Sequence, residues 1–184
     1  MRKLKLQMQI TVDGFVAGPE GQLDWMTWEM DDKAIAFVNE LIDSSETILM
    51  GRKMTPGFVS YWESVKSDDP QYDFAQKMVN TPKVVFSRTL SSLEGKNVRV
   101  ENRDLVTAVN ELKSRSGKDL LVYGGASFVA SLIEHHLIDE LHLVVNPIAI
   151  HEGMRVFTAR TPLQLVDSVA LKTGKVVTTY KPRV

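Results

Sequence analysis

The apolar run Leu121-Val122-Tyr123 stops at Gly124-Gly125 and resumes through Ala126, Ser127 and Phe128 with the periodicity of a helix. That is the pattern of a strand ending in a turn made of backbone alone. Paired glycines let main chain approach a ligand closely, and the N–H groups of the following helix start face outward as anion donors. A second copy lies upstream. Thr47-Ile48-Leu49-Met50 reads as a short buried strand that runs into Gly51-Arg52-Lys53-Met54, adding two side-chain cations to the backbone donors. Two strand-to-helix turns suited to anions, with no Walker sequence, predict a ligand carrying more than one phosphate. A dinucleotide fits.

Composition sets the frame for that reading. A chain of 184 residues that is 43% hydrophobic and 24% charged can bury most of its apolar surface in one core, and no linker-like stretch divides it, so one domain over residues 1–184 is expected. With 22 basic against 23 acidic residues the balance gives no nucleic-acid surface, and any anion site must be local. Met1-Arg2-Lys3 leads into alternating residues rather than a continuous apolar segment, and no run is long enough to span a bilayer. A cytoplasmic protein that does not engage membranes is expected. The absence of cysteine excludes thiolate chemistry and disulfides, and four scattered histidines supply no zinc-ligand spacing, so no metal is expected.

The architecture follows from the changing period of the apolar residues. Leu4, Leu6, Met8, Ile10 and Val12 alternate with Lys5, Gln7, Gln9 and Thr11, which predicts a strand with one covered face ending at Asp13-Gly14. Gly18 to Trp28 reads as an irregular loop. Ala34, Val38, Leu41 and Ile42 recur at helical spacing behind the acids Asp31 and Asp32, which suit a helix start. Thr55-Pro56 is read as N-cap and first turn of a short helix through Val65, and a further helix is expected over Pro70 to Val79. Lys83 to Phe86 returns to strand with Ser87-Arg88 at its exit. Leu105, Val109 and Leu112 define a helix that Gly117 can end, and the Gly-Gly unit follows with a helix through Leu132 and Ile133. Leu141, Leu143 and Val145 form another strand, and Leu163 to Leu171 and Val176 to Tyr180 close the chain as a hairpin. The prediction is a three-layer α/β/α fold, with a mostly parallel central sheet and an antiparallel C-terminal hairpin.

Ligands of such sheets settle outside the carboxyl ends of the strands. Asp13-Gly14, Gly51-Arg52, Ser87-Arg88 and Gly124-Gly125 are all expected on that one edge. Taken singly each is ordinary turn chemistry. Together they place Arg52, Lys53 and Arg88 where glycine turns expose N–H groups, and a Ser-Arg exit suits the 2′-phosphate of an adenine dinucleotide through hydroxyl donation plus a guanidinium fork.

These segments resemble the dihydrofolate reductase-like superfamily, and within it the C-terminal reductase domain of bacterial riboflavin biosynthesis enzymes, the RibD C-terminal domain family. The resemblance rests on Thr11 to Ala17, Ile48 to Met54, Lys83 to Leu90, Val122 to Phe128 and Leu137 to Leu141, and covers nearly the whole chain. It implies that NADPH lies across the strand ends. Gly51, Arg52 and Lys53 would then hold the pyrophosphate and ribose phosphate region, with Met54 standing where the family has a threonine. Ser87 and Arg88 would face the 2′-phosphate. Gly124, Gly125, Ala126, Ser127 and Phe128 would cradle the pyrophosphate, and Val16 and Ala17 would line the nicotinamide pocket.

The chemistry implied is hydride transfer, resembling 5-amino-6-(5-phosphoribosylamino)uracil reductase, with a dihydrofolate or pterin reductase-like enzyme and a non-catalytic NADP-binding dimeric module as alternatives. True dihydrofolate reductases project a carboxylate from the first helix, where this chain reads Ala34-Ile35-Ala36-Phe37. Riboflavin-type members carry a basic residue after Asp-Gly, where this chain has Phe15. Both departures point to a stand-alone branch with its own substrate. Asp13, Asp24 and Trp25 are the candidate substrate contacts, Trp25 by stacking on a flat heterocycle. Catalytic residues are not assigned. A homodimer through the C-terminal β-rich edge is expected, because that edge would otherwise be unpaired.

Overall fold

The computed structural model describes residues 1–183. In chain order its elements are β1 (Leu4–Thr11), α1 (Asp32–Asp43), β2 (Ser45–Gly51), α2 (Thr55–Ser64), α3 (Tyr72–Asn80), β3 (Lys83–Phe86), β4 (Val98–Glu101), α4 (Leu105–Ser114), β5 (Asp119–Val122), α5 (Ala126–Glu134), β6 (Glu140–Asn146), β7 (Leu163–Ala170) and β8 (Val176–Pro182). The eight strands form one sheet in the order β4-β3-β2-β5-β1-β6-β8-β7. The first six in that order run parallel to their neighbours, and β8 and β7 add the antiparallel hairpin. Parallel pairing puts the C-terminal ends of β3, β2, β5 and β1 side by side on one edge. The turns predicted to share an edge do so.

Two apolar layers cover the sheet. Leu4, Leu6, Leu120 and Val122 face Val109 and Leu112 of α4 and Val129, Leu132 and Ile133 of α5. Ile48, Met50 and Leu121 face the opposite way, against Leu41 and Ile42 of α1 and Met78 of α3. The three-layer arrangement follows from the helices that carry most of the crossovers between parallel strands, β3 to β4 being joined by a loop alone.

The structure corrects three local expectations. β1 is covered on both faces, with Gln7 only 6% and Thr11 only 2% exposed, because it is central in the sheet and α1 roofs the side that carries its polar residues. Val98–Glu101 is a strand that its own four residues do not announce, and it exists by pairing in register with β3 at the sheet edge. Thr55 is the first residue of α2 rather than its N-cap; its hydroxyl donates back to the Gly51 carbonyl at 3.1 Å, and the cap position is Met54, which offers no side-chain acceptor. Asp31 does cap α1, accepting from Ala34 N at 2.9 Å.

Charge is matched at the N-terminal edge of the sheet. Arg2 pairs with Glu46, Lys3 with Glu140 at 2.7 Å, Lys5 with Asp119 at 2.9 Å and Lys113 with Asp139 at 2.6 Å. At the far end of β4, the buried Glu101 accepts from Arg103 Nε at 2.9 Å and Nη2 at 2.8 Å, and Arg103 also reaches Glu111 at 2.6 Å. Hydrogen bonds from Arg103 are the main reason that the Glu101 carboxyl is held down at about 2.

A folded-state value below the unfolded one means that Glu101 stabilises the fold above its ordinary pKa and loses that contribution as pH falls toward 2. Glu101→Gln is therefore expected to cost about 1–2 kcal/mol at neutral pH, a figure reduced for the exposure of Arg103. The gap between variant and parent should close in urea titrations as the buffer is acidified. A constant gap would show that the carboxylate charge is not what clamps this strand end.

Candidate functional site

Gly51 ends β2 and Gly125 precedes α5, and the two turns meet backbone to backbone. A Cβ on Gly125 would lie 3.4 Å from the Gly51 Cα, and one on Gly51 would lie 2.8 Å from the Phe128 Cβ. Gly125 also has φ +91°, which side-chain-bearing residues avoid. Only glycine permits the contact. The helices that leave these turns, α2 and α5, have no side chain capping their N-termini, whereas Asp31 caps α1 and Asp104 caps α4, accepting from Thr107 N at 2.9 Å. Beside Gly124, Met54 packs closely enough that an added Cβ would meet its Sδ at 3.0 Å, and Phe128 stacks on Phe86 with ring centres 5.2 Å apart. Met54 thus serves as packing. Ala126 is half-buried at the helix start and Ser127 is exposed.

Around this core stand Arg52, Lys53 and Arg88, all exposed and none in an ion pair or hydrogen bond among the described residues. Ser87 is buried, its Oγ accepting from Thr89 N at 3.2 Å and Leu90 N at 3.0 Å, while Asn102 donates to the Ser87 carbonyl at 2.6 Å. The hydroxyl therefore shapes the turn that presents Arg88 and keeps its own proton to donate.

At the exit of β1 the side chains are largely committed to the protein. Asp13 accepts from Thr11 Oγ1 at 2.5 Å and from Ile150 N and His151 N at 3.1 and 2.9 Å, and these bonds, led by that of Thr11, hold its carboxyl below the ordinary range. It pins the loop after β6 onto the end of β1. Val16 and Ala17 are buried, bridged to Met154 through Val16 N to Met154 O at 2.9 Å and Met154 N to Ala17 O at 2.8 Å, and the Val16 side chain enters the core beneath α4 and α5. Trp25 is buried with its indole N–H unpartnered. Asp24 is exposed on the same loop and meets no partner among the described residues. Arg155 lies 4.0 Å above the Phe15 ring, so a cation stands over the position where the sequence lacks one. Sequence reasoning also passed over half-buried Tyr123 and buried His142, whose hydroxyl and Nε2 are enclosed and unpaired among the described residues. Their signal was present, a tyrosine just before the Gly-Gly pair and a histidine inside an apolar strand.

The model of the RibD C-terminal domain family matches residues 2–180. The chain belongs to that family. An uncharacterized Bacillus subtilis (strain 168) protein, YyaP, is 30% identical over 182 residues, 97% of this chain and 94% of that one. A second from the same organism, YwjB, is 25% identical over 167 residues and 89% of each chain. Among solved structures, a Shewanella sp. PV-4 protein assigned to riboflavin biosynthesis superposes with a TM-score of 0.74 at 21% identity over 99% of both chains. A diaminohydroxyphosphoribosylaminopyrimidine deaminase/5-amino-6-(5-phosphoribosylamino)uracil reductase of Thermotoga maritima gives 0.66 at 18% identity, covering 99% of this chain and 57% of that one. These likenesses establish the fold.

In this RibD C-terminal domain the glycine contact is both a packing device and the centre of the candidate site. Gly51→Ala would drive a methyl into Phe128, whose Cβ is fixed on α5. The expected cost is about 1–3 kcal/mol in chemical denaturation. A Gly51→Ala protein as stable as the parent would mean that α5 can slide away and that the two turns are not held together by main-chain contact.

Proposed function

We propose that this chain is an NADPH-dependent reductase that transfers a hydride to a small heterocyclic or sugar-linked substrate. The observation that carries the reading is the meeting of two uncapped helix starts at Gly51 and Gly125, within a sheet edge where Arg52, Lys53 and Arg88 have no protein counter-ion. A purely structural domain would leave those donors and cations without a purpose. Gly51, Arg52, Lys53, Gly124, Gly125, Ala126 and Ser127 would hold the pyrophosphate on N–H groups and cations, and Ser87 and Arg88 the 2′-phosphate. When bound, the cofactor supplies the hydride. The protein positions the acceptor beside Gly124, keeps water from the turn with Met54, Phe86 and Phe128, and polarises the substrate.

Within that class, the favoured chemistry is of the 5-amino-6-(5-phosphoribosylamino)uracil reductase type, because the carboxylate-assisted folate route lacks its acid. Asp31, the nearest on α1, spends one oxygen on Ala34 N and the other on Lys172 N at 2.7 Å. The chain would act in the cytoplasm; no helix among the described residues is long and apolar enough to cross a membrane. It would act as a homodimer joined along β7, the sheet edge where Leu165 and Val166 are 55% and 51% exposed.

Calorimetric titration with NADPH and NADH tests the cofactor. Saturable binding should favour NADPH, and Arg88→Ala should remove most of that preference, about tenfold or more for a charge-assisted pair. No binding of either nucleotide would leave the non-catalytic module standing. Light scattering should give twice the chain mass, and Leu165→Lys with Val166→Lys should return a monomer; a parent protein that is monomeric at working concentration removes the dimer.

A further inference from the structure

The chain crosses from β3 to β4 without a helix, so Arg88 lies on a loop, whereas Arg52 and Lys53 lead directly into α2. A cation on an unfixed loop loses affinity to the ordering that binding then requires. The far half of this loop is fastened to helices. Lys96 N donates to Glu63 of α2 at 2.8 Å, and the Asn97 amide donates to the carbonyls of Val79 and Asn80 at the end of α3, at 3.3 and 3.0 Å. The near half, Ser87 to Leu90, makes no hydrogen bond to a helix among the described residues.

Asn102 holds that near half. Phe86 and Glu101 are the last paired residues of β3 and β4, and Ser87 N donates to the Glu101 carbonyl at 3.1 Å, so the register sets Asn102 beside Ser87. Its Nδ2 donates to the Ser87 carbonyl at 2.6 Å and to the Leu90 carbonyl at 2.7 Å, so that one amide closes both ends of the turn. Ser87 Oγ fills the inside, accepting from Thr89 N and Leu90 N at 3.2 and 3.0 Å. The backbone on either side of Asn102 is fixed in turn, because the buried Glu101 carboxylate accepts from Arg103 N at 3.0 Å as well as from its guanidinium.

The residue type is dictated by what it meets. Both partner atoms are carbonyl oxygens, so the position needs two N–H donors on one short side chain, which asparagine alone supplies. The carboxamide is also uncharged, and it leaves Arg88 without a counter-ion. Phe86, just before the turn, pairs with Gly51 of β2 and stacks on Phe128 of α5, so the turn that carries Arg88 adjoins the two glycine turns.

We propose that Asn102 is a positioning residue for the cofactor: by fixing the Ser87–Leu90 turn it holds Arg88 where the guanidinium meets a 2′-phosphate, and so sets the preference for NADPH over NADH. It acts through Arg88 rather than by touching the phosphate. Fixing the turn before the ligand arrives removes an ordering cost from the step that pairs guanidinium with phosphate. This rests on the NADPH reading of the site.

The test is a double-mutant cycle of Asn102→Ala and Arg88→Ala, read by calorimetric titration with NADPH and NADH beside NMR hydrogen exchange of the Thr89 and Leu90 amides. Asn102→Ala should weaken NADPH by about five- to tenfold, leave NADH within about twofold, and change nothing further once Arg88 is alanine. In the nucleotide-free variant the Thr89 and Leu90 amides should exchange about tenfold or more faster than in the parent. A residue with a purely structural role would lower the urea midpoint and shift both nucleotides alike. That result, an Asn102 effect that persists in full beside Arg88→Ala, or unaltered exchange at Thr89 and Leu90 would each overturn the proposal. If Asn102→Ala does not fold, Asn102→Ser, too short to reach both carbonyls, is judged by the same outcomes. A parent protein that binds NADPH no better than NADH would overturn the NADPH reading, and the cofactor half of this proposal with it; the exchange rates would still decide whether Asn102 holds the turn.

Discussion

The main-chain contact between Gly51 and Gly125 governs the rest of this molecule. β2 and β5 are neighbours, and each is followed by a helix that must start within a few residues of its strand. A side chain at position 51 would drive into Phe128, and one at position 125 would strain a backbone held at φ +91°. Glycine lets them touch, and two helix starts then converge on one spot. The N–H groups gathered there need no rearrangement to meet an anion, which is the condition for a site to be preorganised rather than induced.

A division of charge between the two edges of the sheet follows. At the N-terminal edge, cations and carboxylates neutralise one another in pairs that tie the chain ends and α4 to the strands. At the C-terminal edge, Arg52, Lys53 and Arg88 stand without such partners, and the one buried acid near them, Glu101, is already answered by Arg103. Arg52, Lys53 and Arg88 are thus local unpaired cations at that edge, although the chain as a whole carries a formal charge of -1. Asp13 is the exception at that edge: neutral donors of Thr11, Ile150 and His151 hold it ionised and fasten it to the loop after β6.

The layers and the shared edge were legible because they depend on local signals: apolar runs, glycine pairs and helical spacing around Ala34, Val109 and Leu132. β4 was not, since Val98 to Glu101 carries only two apolar residues beside two charges and owes its state to pairing with β3. The polar side of β1 was misread for a related reason. Alternation tells which residues differ, not what covers them, so Gln7 looked solvated although it is buried in the central strand of the sheet. The glycine turns could be named from sequence, but their mutual contact could not, because it depends on the sheet order that inserts β5 beside β2. Asp13 shows the opposite limit: the residue was found, and its partners, more than a hundred positions away, decided that it anchors a loop.

The missing helix carboxylate and the unpaired polar atoms of Tyr123 and His142 belong to one argument. Where α1 sets Phe37 edge-on to His142, β6 carries an imidazole nitrogen, and Tyr123 after β5 a hydroxyl, that are buried and unpaired among the described residues. Burial raises the Tyr123 phenol above its ordinary value and pushes the His142 imidazole below its own, so both are neutral at physiological pH. Charging either group in that apolar setting is costly, so neither is a ready source of protons.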